Sequence, residues 1–124
     1  MDALKEFNTD HVKYIKAAMD ELVNAGVDDG FIIFESDEGR FLQFTYRRGE
    51  GLTFDLPRIG LSEEELSRVC KVEGLEAMNE TEMSFLLKIG VDTRMGARLA
   101  NCIFRSVFGC PGDYKVQATI DLEE

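Results

Sequence analysis

Apolar side chains recur every three or four residues near the start of the chain and then at every second residue, a change of period that predicts a helix followed by strands. The helical stripe comprises Leu4, Phe7, His11, Ile15, Ala18 and Leu22, widened by Val12, Met19 and Val23, with Lys5, Lys13, Lys16 and Asp20 opposite. Its start is placed at Asp2, or at Asn8 or Thr9, and its end at Ala25-Gly26, where glycine supplies the left-handed exit. Three strands follow. Phe31 to Glu35 is apolar on both alternating sets, which predicts a central strand. In the second strand Leu42, Phe44 and Tyr46 oppose Gln43, Thr45 and Arg47, and in the third Leu52, Phe54 and Leu56 oppose Thr53 and Asp55. Asp37-Glu38-Gly39 and Arg48-Gly49-Glu50 are the turns, and Pro57 closes the meander because it has no N–H for the ladder.

Ser62 and Glu65 have the spacing of a capping box, and Leu61 and Leu66 that of a hydrophobic staple, so a second helix begins there and is expected to stop at Gly74. Leu75 to Met78, a turn at Asn79-Glu80-Thr81 and a segment from Met83 to Ile89 predict a hairpin, with Met83, Phe85, Leu87 and Ile89 on one face. A third helix is expected from Asp92 or Thr93 to Phe108, buried through Leu99, Ala100, Ile103, Phe104, Val107 and Phe108, with Gly109 as its exit and Pro111 beyond. Tyr114 to Leu122 alternates most regularly and reads as a strand with one wet face. The expected fold is α+β. It is an antiparallel sheet of about five to six strands with helices on one face, in the order α-β-β-β-α-β-β-α-β.

Composition narrows the class further. A chain of 124 residues suits a single domain, spanning residues 1–124, with a core of its own. Its 44% hydrophobic and 31% charged content fits a packed globular protein. The net charge of -10 opposes contact with phosphate backbones, so no nucleic acid partner is expected. No apolar run reaches the roughly 20 residues of a membrane span, and the first residues lack the pattern of a signal peptide, so no membrane insertion is expected and the cytoplasm is the expected location. Cys70, Cys102 and Cys110 form no Cys-x-x-Cys pair and no disulfide framework. Cys70 and Cys102 read as small core residues, and Cys110, in a loop, as the one to test by alkylation.

Candidate chemistry is sparse. His11 is the sole histidine and sits amid an apolar stripe, where a buried imidazole with a backbone partner is the preferred reading. One histidine and three scattered cysteines have no zinc spacing, and Glu63-Glu64-Glu65 lacks the pattern of a calcium loop and reads as first-turn helix charge. Gly49-Glu50-Gly51 precedes a strand rather than a helix, so a hairpin turn is preferred to a phosphate loop. Glu35 and Asp55 read as solvated strand positions, and Asn79-Glu80-Thr81 as an accidental sequon. No catalytic, cofactor or metal site is expected. One group stands out. Arg94, Arg98 and Arg105, with Asn101 between them, share a narrow arc opposite the apolar stripe of the third helix. A solvated face pairing with nearby carboxylates is the plainer reading, and these four residues are the candidate protein-binding set. Arg47, Arg48 and Arg58 form a second, weaker basic spot.

Phe31-Ile32-Ile33-Phe34-Glu35, Arg40-Phe41-Leu42-Gln43-Phe44, Gly51-Leu52-Thr53-Phe54-Asp55-Leu56-Pro57 and the Leu61-Ser62-Glu63-Glu64-Glu65 helix entry, in this element order, resemble the type III secretion chaperone-like superfamily, most closely its YbjN-like and TY-Chap branches. The final strand is an addition to that order. The resemblance implies a non-enzymatic protein, often dimeric, that binds segments of client proteins. The preferred expectation is thus a chaperone-like or regulatory module holding a client or regulatory protein at a sheet edge or helix groove, with a homodimer as a further expectation. The alternative is a small-molecule-binding domain or small enzyme, which needs a pocket with convergent polar groups such as His11 with Glu35 or Asp55.

Overall fold

The computed structural model describes residues 11–72 and 79–122. Helix α1 (His11–Ala25) precedes strands β1 (Phe31–Ser36), β2 (Phe41–Arg47) and β3 (Gly51–Pro57). Helix α2 (Glu63–Val69), strands β4 (Asn79–Glu80) and β5 (Ser84–Gly90), helix α3 (Thr93–Cys102) with a π-helical extension (Ile103–Val107), and strand β6 (Val116–Asp121) complete the α+β fold in the order read from the hydrophobic pattern. One six-stranded sheet has the order β4-β5-β3-β2-β1-β6, and every neighbouring pair is antiparallel. β1 is interior, as its double apolar character requires.

Alternation decides which face is covered. Ile32 and Phe34, Leu42 and Phe44, and Leu52, Phe54 and Leu56 are fully buried toward the helices. Phe34, Phe44 and Phe54 form an aromatic row across three strands, with ring centroids 6.1 and 5.6 Å apart. Ile15, Met19 and Leu22 of α1 and Ala97, Ala100, Ile103, Phe104 and Val107 of the third helix close the other side of this core. The opposite sheet face carries Gln43, Thr45, Thr53 and Asp55, half-buried, together with the exposed Glu35 and Phe41.

Local chemistry fixes the element ends. Ser62 accepts from the Glu65 N–H while the Glu65 carboxylate accepts from the Ser62 N–H, so the capping box is complete. Asp92 caps α3 by accepting from the Met95 N–H at 3.0 Å. Two close approaches demand glycine. A Cβ on Gly51, which has φ +84°, would lie 2.6 Å from the Gly90 carbonyl where β3 and β5 shift register, and one on Gly96 would lie 2.6 Å from Ile89 where α3 meets the sheet. At the β6 edge, the Ala118 N–H donates to the Tyr14 hydroxyl of α1 at 3.2 Å.

Several boundaries differ from the pattern. Asn79 and Glu80 are strand residues paired with Leu86 and Phe85, and the turn falls one step later because the Thr81 hydroxyl accepts from the N–H groups of Met83 and Ser84. Met83 therefore leaves the buried face and is 76% exposed. The last turn of the third helix is π rather than α, with the Phe108 N–H donating to the Ile103 carbonyl at 3.0 Å. β6 begins at Val116, since Tyr114 turns its ring into the core. α2 ends at Val69; the expected stop at Gly74, the Leu75 to Met78 segment and the Leu4 and Phe7 part of the first stripe lie outside the described residues.

Candidate functional site

The four residues of the basic arc have different fates. The Asn101 amide oxygen accepts from the Tyr114 hydroxyl at 2.7 Å, and burial raises that phenol well above its ordinary pKa, which keeps it protonated as the donor. Arg105 donates from Nε to the Cys110 carbonyl at 3.0 Å, because the π turn adds a residue and carries it toward the loop after the helix. These two residues brace the chain between α3 and β6. Arg94 and Arg98 are exposed and form no ion pair among the described residues.

His11 is buried, donates from Nε2 to the Tyr114 carbonyl at 2.6 Å, and stacks on the Tyr114 ring with centroids 3.8 Å apart. It lies in the helical layer, whereas Glu35 and Asp55 sit on the opposite sheet face with β2 between them, so the three polar groups do not converge. Asp55 accepts instead from the Gln43 amide at 3.0 Å, while its second carboxylate oxygen is buried without a hydrogen-bond partner among the described residues. No group of three or more metal-ligating side chains occurs among the described residues. The cysteines reverse the expected order: Cys70, at the exit of α2, is exposed, Cys102 is half-buried, and Cys110 is buried in the core, where desolvation pushes its thiol pKa up. A loop position in sequence has become a core position because Cys110 follows the π turn inward.

An open apolar cleft of about 140 Å³ lies at one end of the sheet. Phe41 of β2, Pro57 of β3, Ile59 and Leu61 of the loop before α2, and Phe108 after the π turn line it together with Arg40. Arg40 is held in place. Its guanidinium donates to Glu65 at 2.7 Å and lies 4.7 Å above the Phe108 ring, so the cleft wall is organised before anything enters. Glu65 thereby serves two partners at once, the Arg40 side chain and the Ser62 N–H. Ile59 projects beside the cleft and is 86% exposed, with Phe41 at 39%. Sequence reasoning missed this cluster; its sole signal was Ile59, an apolar residue outside any periodic element and assigned no role, since Leu61 was accounted for as a helix staple.

No protein-family model, curated protein or solved structure matches the chain. No described helix is long and apolar enough to cross a membrane.

Proposed function

We propose that this protein is a non-enzymatic, cytoplasmic binding module, chaperone-like or regulatory, that holds a segment of a client protein by an apolar side chain in the Phe41–Ile59 cleft. The observation that carries this reading is Ile59, almost fully exposed beside a cleft whose walls are already packed and braced. Leaving such a side chain in water forgoes roughly 1.5–3 kcal/mol that burial would return, and Ile59 adjoins the partly exposed Phe41 in the same cleft, so a partner's apolar side chain would meet both. The resemblance of the strand and helix-entry motifs to secretion chaperone-like proteins supports the same reading and extends it to a homodimer.

Affinity capture from an extract of the source cells, comparing the native protein with Ile59→Asp, tests it. A defined set of proteins retained by the former and reduced at least about tenfold with the latter is expected, the equivalent of about 1.4 kcal/mol. Identical sets, or none at low salt, would overturn the proposal. Light scattering on the same samples checks the homodimer, which a monomer mass at high concentration removes.

A further inference from the structure

Arg94 stands where local physics favours the opposite charge. It lies in the first turn of α3, near the positive end of the helix dipole, and that turn contains no acidic residue. Arg98 follows one turn later on the same face, so two like charges repel at the i,i+4 spacing. Carboxylates nearby are already committed: Asp92 caps the helix, and Asp20 accepts from Lys16 and Thr93. Elsewhere in the molecule Arg40, Arg47, Arg58 and Arg68 each face a carboxylate within 3.4 Å, and Arg105 holds a carbonyl. Among the described residues only Arg48, at a hairpin tip, shares the unpaired state of Arg94 and Arg98. Val91, just ahead of the helix cap, and Met95, next to Arg94 in the first turn, are exposed as well, at 66% and 42%.

Two arginines with no ion pair among the described residues, beside exposed apolar side chains in a chain of net charge -10, break local rules without a gain inside the described fold, as residues kept for a partner do. We infer that the start of α3, with Arg94, Met95 and Arg98 on the helix and Val91 just before its cap, is a docking surface for an acidic amphipathic segment of a partner protein, its carboxylates on Arg94 and Arg98 and its apolar side chains on Met95 and Val91. Carboxylates one helical turn apart match this spacing, and guanidinium groups take them bidentately. The surrounding negative field turns away polyanions of greater reach, such as nucleic acid, while a short acidic segment meets the two cations directly. This surface is separate from the Ile59 cleft and rests on the binding-module reading.

Fluorescence anisotropy tests it with a fluorescein-labelled helical peptide of glutamate and leucine, the glutamates recurring every four residues, and with its lysine counterpart as a control. The full chain is expected to bind the glutamate peptide, more tightly at low salt, and to ignore the lysine peptide. Arg94→Glu is expected to weaken binding about tenfold, the equivalent of one charge-assisted contact, while leaving the melting temperature unchanged or raised, because glutamate there suits both the dipole and Arg98. A structural arginine would instead lower it. Met95→Gln weakens binding, and Ile59→Asp leaves it intact. Absence of binding by the native chain, equal binding by Arg94→Glu, equal binding of a short oligothymidylate strand or of phosphatidylserine vesicles, or loss of binding with Ile59→Asp would each overturn the inference. Partner capture through Ile59 combined with no peptide binding would remove this inference alone.

Discussion

Two glycines with almost the same backbone angle show how differently a single residue position is constrained. Gly49 and Gly51 have φ +83° and +84°, yet a Cβ on Gly49 meets nothing within 4 Å whereas one on Gly51 strikes the Gly90 backbone at 2.6 Å. Gly49→Ala is expected to cost about 1 kcal/mol, for the left-handed conformation alone. Gly51→Ala adds overpacking against backbone that has no rotamer to yield, so a loss of about 3 kcal/mol is expected. Urea denaturation of the two variants distinguishes them, and equal midpoints would refute the close approach. Cys110 gives a complementary lesson. Its neighbours in sequence, Gly109 and Pro111, describe a loop, but its thiol is buried and Cys70, which the sequence placed within a helix expected to run to Gly74, is exposed at the exit of α2.

At the scale of elements, the join between α1 and α3 is polar at its rim. Asp20 accepts from Lys16 at 2.7 Å and from the Thr93 hydroxyl, and the Lys16 bond, then the Thr93 bond, hold its carboxyl below the usual carboxylate range. A lowered folded pKa means that Asp20 contributes stability above its unfolded value near 3.9, and that this contribution is lost as pH falls through the folded value. In acid titrations of stability, Asp20→Asn should therefore lose less than the native chain below about pH 4, by a few tenths of a kcal/mol for a group this exposed; parallel curves would contradict the assignment. Such joins explain what the sequence could show. The capping box at Ser62 was legible because both partners lie within four residues, while the start at Asp92 or Thr93 was settled by the Asp92 side chain capping the helix. The order of elements along the chain followed from alternation and short turns, with five to six strands expected, whereas the pairing of β5 with β3 and of β6 with β1 was not written in either. The π turn was not legible, since Ile103, Phe104 and Val107 suit either helix period. Its terminal carbonyl, that of Val107, accepts from Arg68, thirty-nine residues away. The cleft was hidden for the same reason: Phe41, Ile59 and Phe108 meet only through the fold.

Taken whole, the molecule carries 24 acidic and 14 basic side chains, and its self-repulsion opposes compaction. Raising sodium chloride from about 0.05 to 0.5 M, which shortens the screening length severalfold, should raise the melting temperature in a thermal scan; a fall would show that specific ion pairs outweigh the net field. That charge keeps copies apart at long range, but it is screened at short range, where backbone pairing acts. There the Tyr14 hydroxyl on Ala118 matters. A strand can be copied by a neighbouring chain only if its consecutive donors are vacant, and the middle donor of the β6 edge is spoken for. The ribbon on either side is too short to template a new one, so a second chain finds no unbroken row of donors along β6.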